Sequence, residues 1–73
     1  MKIAIRQTGA EIKSVKFDGR RIRTVWLRHR KTGGMTVWRV TQLDRDSDGR
    51  VRRTLYVGES EEAARAVFAD AAR

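Results

Sequence analysis

The sequence predicts an α+β fold in which an antiparallel β-sheet of three to five strands packs on one C-terminal α-helix. Residues 2–57 form short stretches of alternating apolar and polar residues separated by turns rich in Gly and Asp, which is typical of antiparallel strands. After Gly58 the apolar residues recur at helical spacing instead. An open sheet and a small open barrel are both compatible with this order of elements.

Five strands are predicted in chain order, over residues 2–7, 12–17, 20–30, 35–43 and 50–57. Asp18-Gly19 predicts a tight hairpin turn because glycine tolerates the positive φ that such a turn requires. Residues 31–34 form the next predicted turn, and the acidic run over residues 44–49 forms the last.

The helix is predicted over residues 60–72. Ser60 suits the N-cap, and Glu61 and Glu62 occupy the first turn, where the helix dipole favours carboxylates. One apolar stripe contains Ala63, Ala64, Val67, Phe68 and Ala71. A helix this short is marginal alone, so we expect it to lie on the sheet. The chain is interpreted as a single domain: a hairpin over 1–19, a three-stranded core over 20–57, and the helix.

The net charge of +8 is unevenly distributed along the 73 residues. The last part of the chain holds Glu59, Glu61, Glu62 and Asp70 against Arg65 and Arg73. The excess of positive charge therefore lies in the predicted β region. A basic field attracts polyanions, and its effect weakens with salt. The alternative interpretation is that these cations only keep a small domain soluble.

The chain contains no cysteine, which excludes disulfides and thiolate metal sites and is compatible with a reducing compartment. No apolar run reaches the roughly 18 residues that a membrane span needs. The segment over residues 1–6 is too short and too charged for a signal peptide. A cytoplasmic location without membrane association is therefore expected.

Alternation assigns the predicted strands two different faces. The face expected to be covered by the helix carries Val25, Leu27, Trp38, Val40, Val51, Leu55 and Val57, with Arg53 as the polar exception. The opposite face carries Trp26, Arg28, Arg30, Val37, Arg39, Thr41, Arg52, Thr54 and Tyr56.

Trp26 has two compatible roles. A tight turn at Asp18-Gly19 would place Val15, Phe17 and Ile22 on the same face as Trp26. Either a bulge near Thr24 separates them, or the N-terminal hairpin folds over part of this face. Trp26 is then either a buried structural residue or an exposed binding residue.

Arginine beside aromatic residues on an exposed sheet suits nucleic acid. Guanidinium groups match phosphates and the guanine edge, and aromatic rings can stack on bases. The candidate nucleic-acid-binding residues are Trp26, Arg28, Arg30, Arg39, Arg50, Arg52 and Tyr56. An ordinary solvated face is the competing interpretation.

No motif predicts catalysis, a metal or a cofactor. Residues 44–49 match the start of a calcium loop, but its twelfth position, where a glutamate is required, is Leu55, so a solvated turn is the preferred interpretation. His29 is the only histidine, so no serine has a histidine base at a recognisable spacing. The protein is therefore not expected to be an enzyme.

Three segments resemble one known family: Trp-Arg-Val at residues 38–40, Asp-Gly-Arg-Val-Arg-Arg at 48–53, and Ser-Glu-Glu-Ala-Ala at 60–64. Together they resemble the arm-type DNA-binding domain at the N-terminus of tyrosine-family phage and transposon integrases, over about half of the chain. That family has a three-stranded antiparallel sheet and a C-terminal helix, and its sheet face enters the DNA major groove. The resemblance implies that Arg39, Arg50, Arg52 and Tyr56 face the groove.

The leading hypothesis is a non-enzymatic domain that binds nucleic acid, specifically duplex DNA, through its basic sheet face. Arg39 and Arg52 would contact base edges or phosphates, and Arg28, Arg30 and Arg50 would position the backbone. The alternative is a small phage or mobile-element protein that binds the acidic surface of a partner protein or inhibits it, with Trp26 or Tyr56 as the anchor. A monomer or a weak homodimer formed through an exposed edge strand is expected.

Overall fold

A computed structural model describes the backbone of residues 2–73 and the side chains of residues 9–73. The elements are β1 (Lys2–Thr8), β2 (Glu11–Asp18), β3 (Arg21–Thr32), β4 (Met35–Asp46), β5 (Gly49–Gly58) and α1 (Glu61–Ala71). The predicted α+β fold is therefore confirmed. Strand β4 is longer than predicted because the acidic run is mostly strand and only residues 47 and 48 form the turn, and β3 continues to Thr32.

The strands form one open antiparallel sheet of five strands in the order β1-β2-β3-β4-β5. The N-terminal hairpin extends this sheet beside β3, through a continuous β2–β3 ladder. It therefore does not fold across the sheet as the barrel alternative required. The ladder runs without a break past Thr24, so the alternative of a bulge there is also wrong.

The turns of the sequence predict the pairs Val15–Ile22, Leu27–Trp38 and Leu43–Arg50, and the observed register differs from each by two residues. The observed pairs include Phe17 with Ile22, Leu27 with Val40, and Leu43 with Arg52. Because side chains alternate with a period of two, a displacement of two residues leaves every side chain on its predicted face. The division of β2, β3 and β4 into two faces is therefore as the sequence predicts.

Helix α1 packs on one side of the sheet, which we call the helix face, and leaves the other side, the open face, without a covering element among the described residues. The core lies on the helix face and contains Val25, Leu27, Trp38, Val40 and Ala64. Val67, Phe68 and Ala71 on α1 pack against it. The helical stripe thus covers β3 and β4, as its spacing predicts.

Strand β5 departs from the predicted alternation at a β-bulge. Val40 pairs with Tyr56 but Thr41 pairs with Thr54, so Leu55 is the extra residue on β5. Tyr56 consequently lies on the helix face and packs against the core. The prediction that Tyr56 lies on the open face is therefore wrong.

The predicted burial of the apolar residues of β5 is also wrong. Val51, Leu55 and Val57 are 54%, 36% and 51% exposed. Val51 stays on the helix face, opposite Asp44, while the bulge moves Val57 to the open face, opposite Arg39. As β5 is the edge of the sheet, α1 buries little of it.

Helix α1 begins as predicted. The Ser60 side chain accepts a hydrogen bond of 3.1 Å from the backbone N–H of Ala63, and this bond satisfies one donor of the first turn. The backbone N–H of Ser60 in turn donates to the hydroxyl of Tyr56 at 3.3 Å. The tyrosine therefore ties the end of β5 to the start of the helix.

Candidate nucleic-acid interface

The open face concentrates positive charge on adjacent strands. By register and alternation it carries the side chains that we call the basic face: Lys13, Arg28, Arg30, Arg39, Arg45, Arg50 and Arg52. Among the described strand residues of β2 to β5, Glu11 is the carboxylate on this face. The helix face, by contrast, mixes both signs, with Asp18, Asp44 and Asp46 among its cations.

Arg39 and Arg52 lie on the same side of the sheet. Arg52 is directly opposite Leu43, which is on the same side of β4 as Arg39. The β-bulge lies between Val40 and Thr41, beyond the Leu43–Arg52 pair, so it does not alter this relation. The two arginines for which the sequence predicts DNA contact therefore share one face.

Arginines also face one another directly across neighbouring strands. Arg28 is opposite Arg39, and Arg45 is opposite Arg50. Like charges directly opposite each other are destabilising in a sheet. An anion that lies between the guanidinium groups would relieve this repulsion.

Most of these arginines have no partner within the protein. Arg28 pairs with Glu11, with 2.6 Å between Nε and the carboxylate oxygen. Within residues 9–73, whose side chains are described, the other arginines of the basic face form neither a hydrogen bond nor an ion pair: Arg30, Arg39, Arg45, Arg50 and Arg52. Their donors are therefore available to an external ligand.

Three of the predicted site residues surround one shallow depression at the end of the sheet nearest the β3–β4 turn. Arg28, Arg30 and Arg39 line it together with Val37 and Glu11. All three arginines are exposed, so their guanidinium groups are accessible to an anion in the depression.

Trp26 lies on the open face and is half-buried there. The Lys13 Nζ is 5.9 Å and the Arg28 Cζ is 5.1 Å from the centroid of its ring, within the range of a cation–π contact. The indole thus packs beneath two of the cations of the basic face. Its burial is intermediate between the two alternatives left open by the sequence, since the ring packs against Lys13 and Arg28 and is partly accessible.

Tyr56 does not join the other candidates, because the bulge directs it to the helix face. Two cations of the basic face, Lys13 and Arg45, are absent from the predicted set. Lys13 could have been found from its alternation with Ser14 once β2 was paired to β3. The acidic run predicts a turn at Arg45, although this residue continues the β4 alternation that contains Arg39.

A second ion pair of the sheet lies on the helix face, between Arg23 and Asp44. Arg23 Nε donates to Asp44 Oδ1 at 2.8 Å and Gln42 Nε2 donates to Asp44 Oδ2 at 3.0 Å. The hydrogen bond from Arg23 lowers the pKa of Asp44 and raises the pKa of Arg23. The carboxylate of Asp44 is thus bonded to Arg23 and Gln42, whereas the calcium-loop interpretation would require it to bind a metal ion.

Comparisons with known proteins identify no relative: no family model, curated protein or solved structure matches the chain. Among residues 2–73, no helix has both the length and the hydropathy to cross a bilayer. No cluster of three or more His, Asp or Glu side chains that could hold a metal occurs in the described part of the chain.

Proposed function

We propose that this protein is a non-enzymatic domain that binds duplex DNA through the basic face. The carrying observation is that its arginines share one face and that, within residues 9–73, all of them except Arg28 lack a partner, while most of the carboxylates lie elsewhere. Arginines that repel one another across strands favour a ligand with regularly repeated negative charge. The resemblance of residues 38–64 to integrase arm-type domains supports the same class of ligand.

Two double variants with equal charge test this proposal. Arg39→Gln/Arg52→Gln removes two cations from the open face, and Arg21→Gln/Arg53→Gln removes two from the helix face. Arg52 and Arg53 are neighbours on β5 whose side chains lie on opposite faces, so they form a matched pair.

Binding is measured by fluorescence anisotropy with a labelled duplex of random sequence at low salt. The open-face variant is expected to bind about tenfold or more weakly than the wild type, and the helix-face variant within about twofold of it. Equal losses in both variants would show that net charge alone attracts DNA. Absence of duplex binding by the wild type would refute the proposal.

A second candidate function is binding to the acidic surface of a partner protein. The observation that favours it is an apolar patch next to the arginines: Phe17, which is 37% exposed, pairs with Ile22 on the open face. An exposed aromatic beside arginine is typical of interface hot spots. Phe17→Ser separates the two functions, because it should weaken a protein complex and leave duplex binding unchanged.

A further inference from the structure

The sheet changes width along its length. Towards the β3–β4 turn, β2 reaches only as far as its first residue, Glu11, which pairs with Arg28. On the other side, β5 reaches only as far as Gly58, which pairs with Trp38. Beyond these points, within residues 2–73, only β3 and β4 continue, through the pairs Arg30–Val37, Lys31–Thr36 and Thr32–Met35. We call residues 30–37 the ribbon. Its three pairs extend about 10 Å past the neighbouring strands, at 3.4 Å per residue.

The turn keeps the end of the ribbon narrow. Gly33 and Gly34 have φ values of 57° and 81°, and positive φ at both central residues is typical of a type I′ hairpin turn. This turn follows the right-handed twist of the strands and adds no side chain at the tip. The ribbon is accordingly a two-stranded projection whose outermost residues, 30–35, are exposed.

Groove dimensions distinguish the ribbon from the rest of the sheet. Strands lie about 4.8 Å apart, so the backbone of five strands is about 19 Å wide. The major groove of B-DNA is about 12 Å wide and admits a two-stranded ribbon but not a sheet of that width. Only the ribbon is thus narrow enough for its side chains to reach base edges.

Resting on the function proposed above, we infer that the ribbon reads bases in the major groove while the wider part of the basic face contacts phosphates. Arg30, Thr32 and Met35 lie on the open face of the ribbon. An arginine can bond the guanine edge, a threonine can bond several base edges, and an apolar side chain can contact the thymine methyl group. The wider part of the sheet cannot enter the major groove, and it carries Arg39, Arg45, Arg50 and Arg52.

This division assigns different consequences to different arginines. A base contact gives sequence preference, whereas a phosphate contact gives affinity without preference. Arg30 is therefore a specificity residue and Arg52 an affinity residue. The ribbon also contains its own control, since Lys31 follows Arg30 directly but lies on the helix face, away from DNA bound to the open face.

The experiment is selection of preferred sites from a randomised duplex pool, carried out with the wild type, Arg30→Gln, Lys31→Gln and Arg52→Gln. Folding of each variant is checked by circular dichroism. We expect the wild type to enrich a motif of about three base pairs, since the ribbon spans about 10 Å of a duplex that rises 3.4 Å per base pair. Arg30→Gln should lose preference at one position, and Lys31→Gln should select the wild-type motif. Arg52→Gln should select it with lower affinity.

Three outcomes would overturn the inference. The wild type could bind duplexes without enriching any motif, Arg30→Gln could retain the wild-type motif, or Lys31→Gln could alter it as strongly as Arg30→Gln. Each of these leaves the proposed function intact, because duplex binding persists. Only a wild type that binds no duplex removes both.

Discussion

The two faces of strand β4 differ in what surrounds them. On the helix face, Trp38 and Val40 are buried beneath α1, at 8% and 0% exposure. On the open face, Arg39 between them is exposed, and no covering element among the described residues holds it. Because the two faces share one backbone, the difference between them arises from α1. The helix buries the apolar side chains of one face, and the polar side chains of the other face remain available to ligands.

The two tryptophans allow the two faces to be compared with the same side chain on each. Trp38 on the helix face packs against the ring of His29, with centroids 4.7 Å apart, and beneath Arg65 of α1. Trp26 on the open face is half-buried under Lys13 and Arg28. Both rings contact a cation, yet only Trp38 belongs to the core.

The largest effect is expected for Trp38→Ala. Truncation of a buried tryptophan costs about 3–5 kcal/mol, which is comparable to the whole stability that a core of this size supplies. Trp38→Ala should therefore be largely unfolded at 25 °C. Trp26→Ala should lose about 1–2 kcal/mol, since only part of its ring is buried. Urea unfolding followed by circular dichroism measures both, and equal losses would contradict the assignment of the core to one face.

A second expected effect tests the bulge that separates Tyr56 from the open face. A Cβ at Gly58 would lie 2.5 Å from the Tyr56 hydroxyl and 2.9 Å from its Cζ. Gly58→Ala should therefore destabilise the protein by about 1–3 kcal/mol, as overpacking does. Thermal unfolding measures the change.

The control for this prediction is the Tyr56→Leu background, in which the obstructing ring is absent. Gly58→Ala should then have little further effect on the unfolding free energy. A full additional loss in that background would mean that Tyr56 does not pack over Gly58, and the face assigned to Tyr56 would be incorrect.

A smaller effect is expected at the helix that distinguishes the two faces. Ser60→Ala removes the cap on Ala63 and should cost about 1 kcal/mol, whereas Ser60→Gly should cost only a few tenths. Urea unfolding of the two variants provides the measurement. Identical stability of Ser60→Ala and the wild type would show that the cap does not hold the helix on the sheet.

The smallest effect concerns the ion pair between Arg23 and Asp44. Because the pKa of Asp44 is lowered in the folded state, its contribution is present above the unfolded value of about 3.9 and disappears as pH falls through the folded value. Both side chains are partly exposed, so Asp44→Asn should cost less than about 1 kcal/mol at pH 7. Urea midpoints of both proteins should converge at acidic pH; a gap that widens there would contradict the sign of the shift.

The sequence predicts the alternation of β3 and β4 well because period-two patterning depends only on neighbouring residues. The residues buried on the helix face, as predicted, are Val25, Leu27, Trp38 and Val40. Arg39 lies on the open face, also as predicted. Registers are predicted less well, since they depend on where each turn begins. The acidic run predicts a turn, but Asp44 lies on β4 and pairs with Arg23 on the neighbouring strand β3, 21 residues earlier in the chain, a contact that no local pattern reveals.

The bulge and the ribbon could not be predicted for related reasons. Leu55 has no glycine or proline beside it to mark a bulge, so alternation placed Tyr56 on the wrong face. The ribbon exists because β2 and β5 end before β3 and β4 do, which is a relation among four strands. Alternation predicts Arg30 on the open face, but its position beyond the wide part of the sheet follows from the complete register.

The salt dependence of duplex binding tests the central claim most directly. Plots of log affinity against log salt concentration are compared for the wild type, Arg39→Gln/Arg52→Gln and Arg21→Gln/Arg53→Gln. If the basic face contacts phosphates, the open-face variant should have a slope shallower by about two, and the helix-face variant should keep the wild-type slope. Equal slopes for all three proteins would contradict the claim that the open face is where DNA binds.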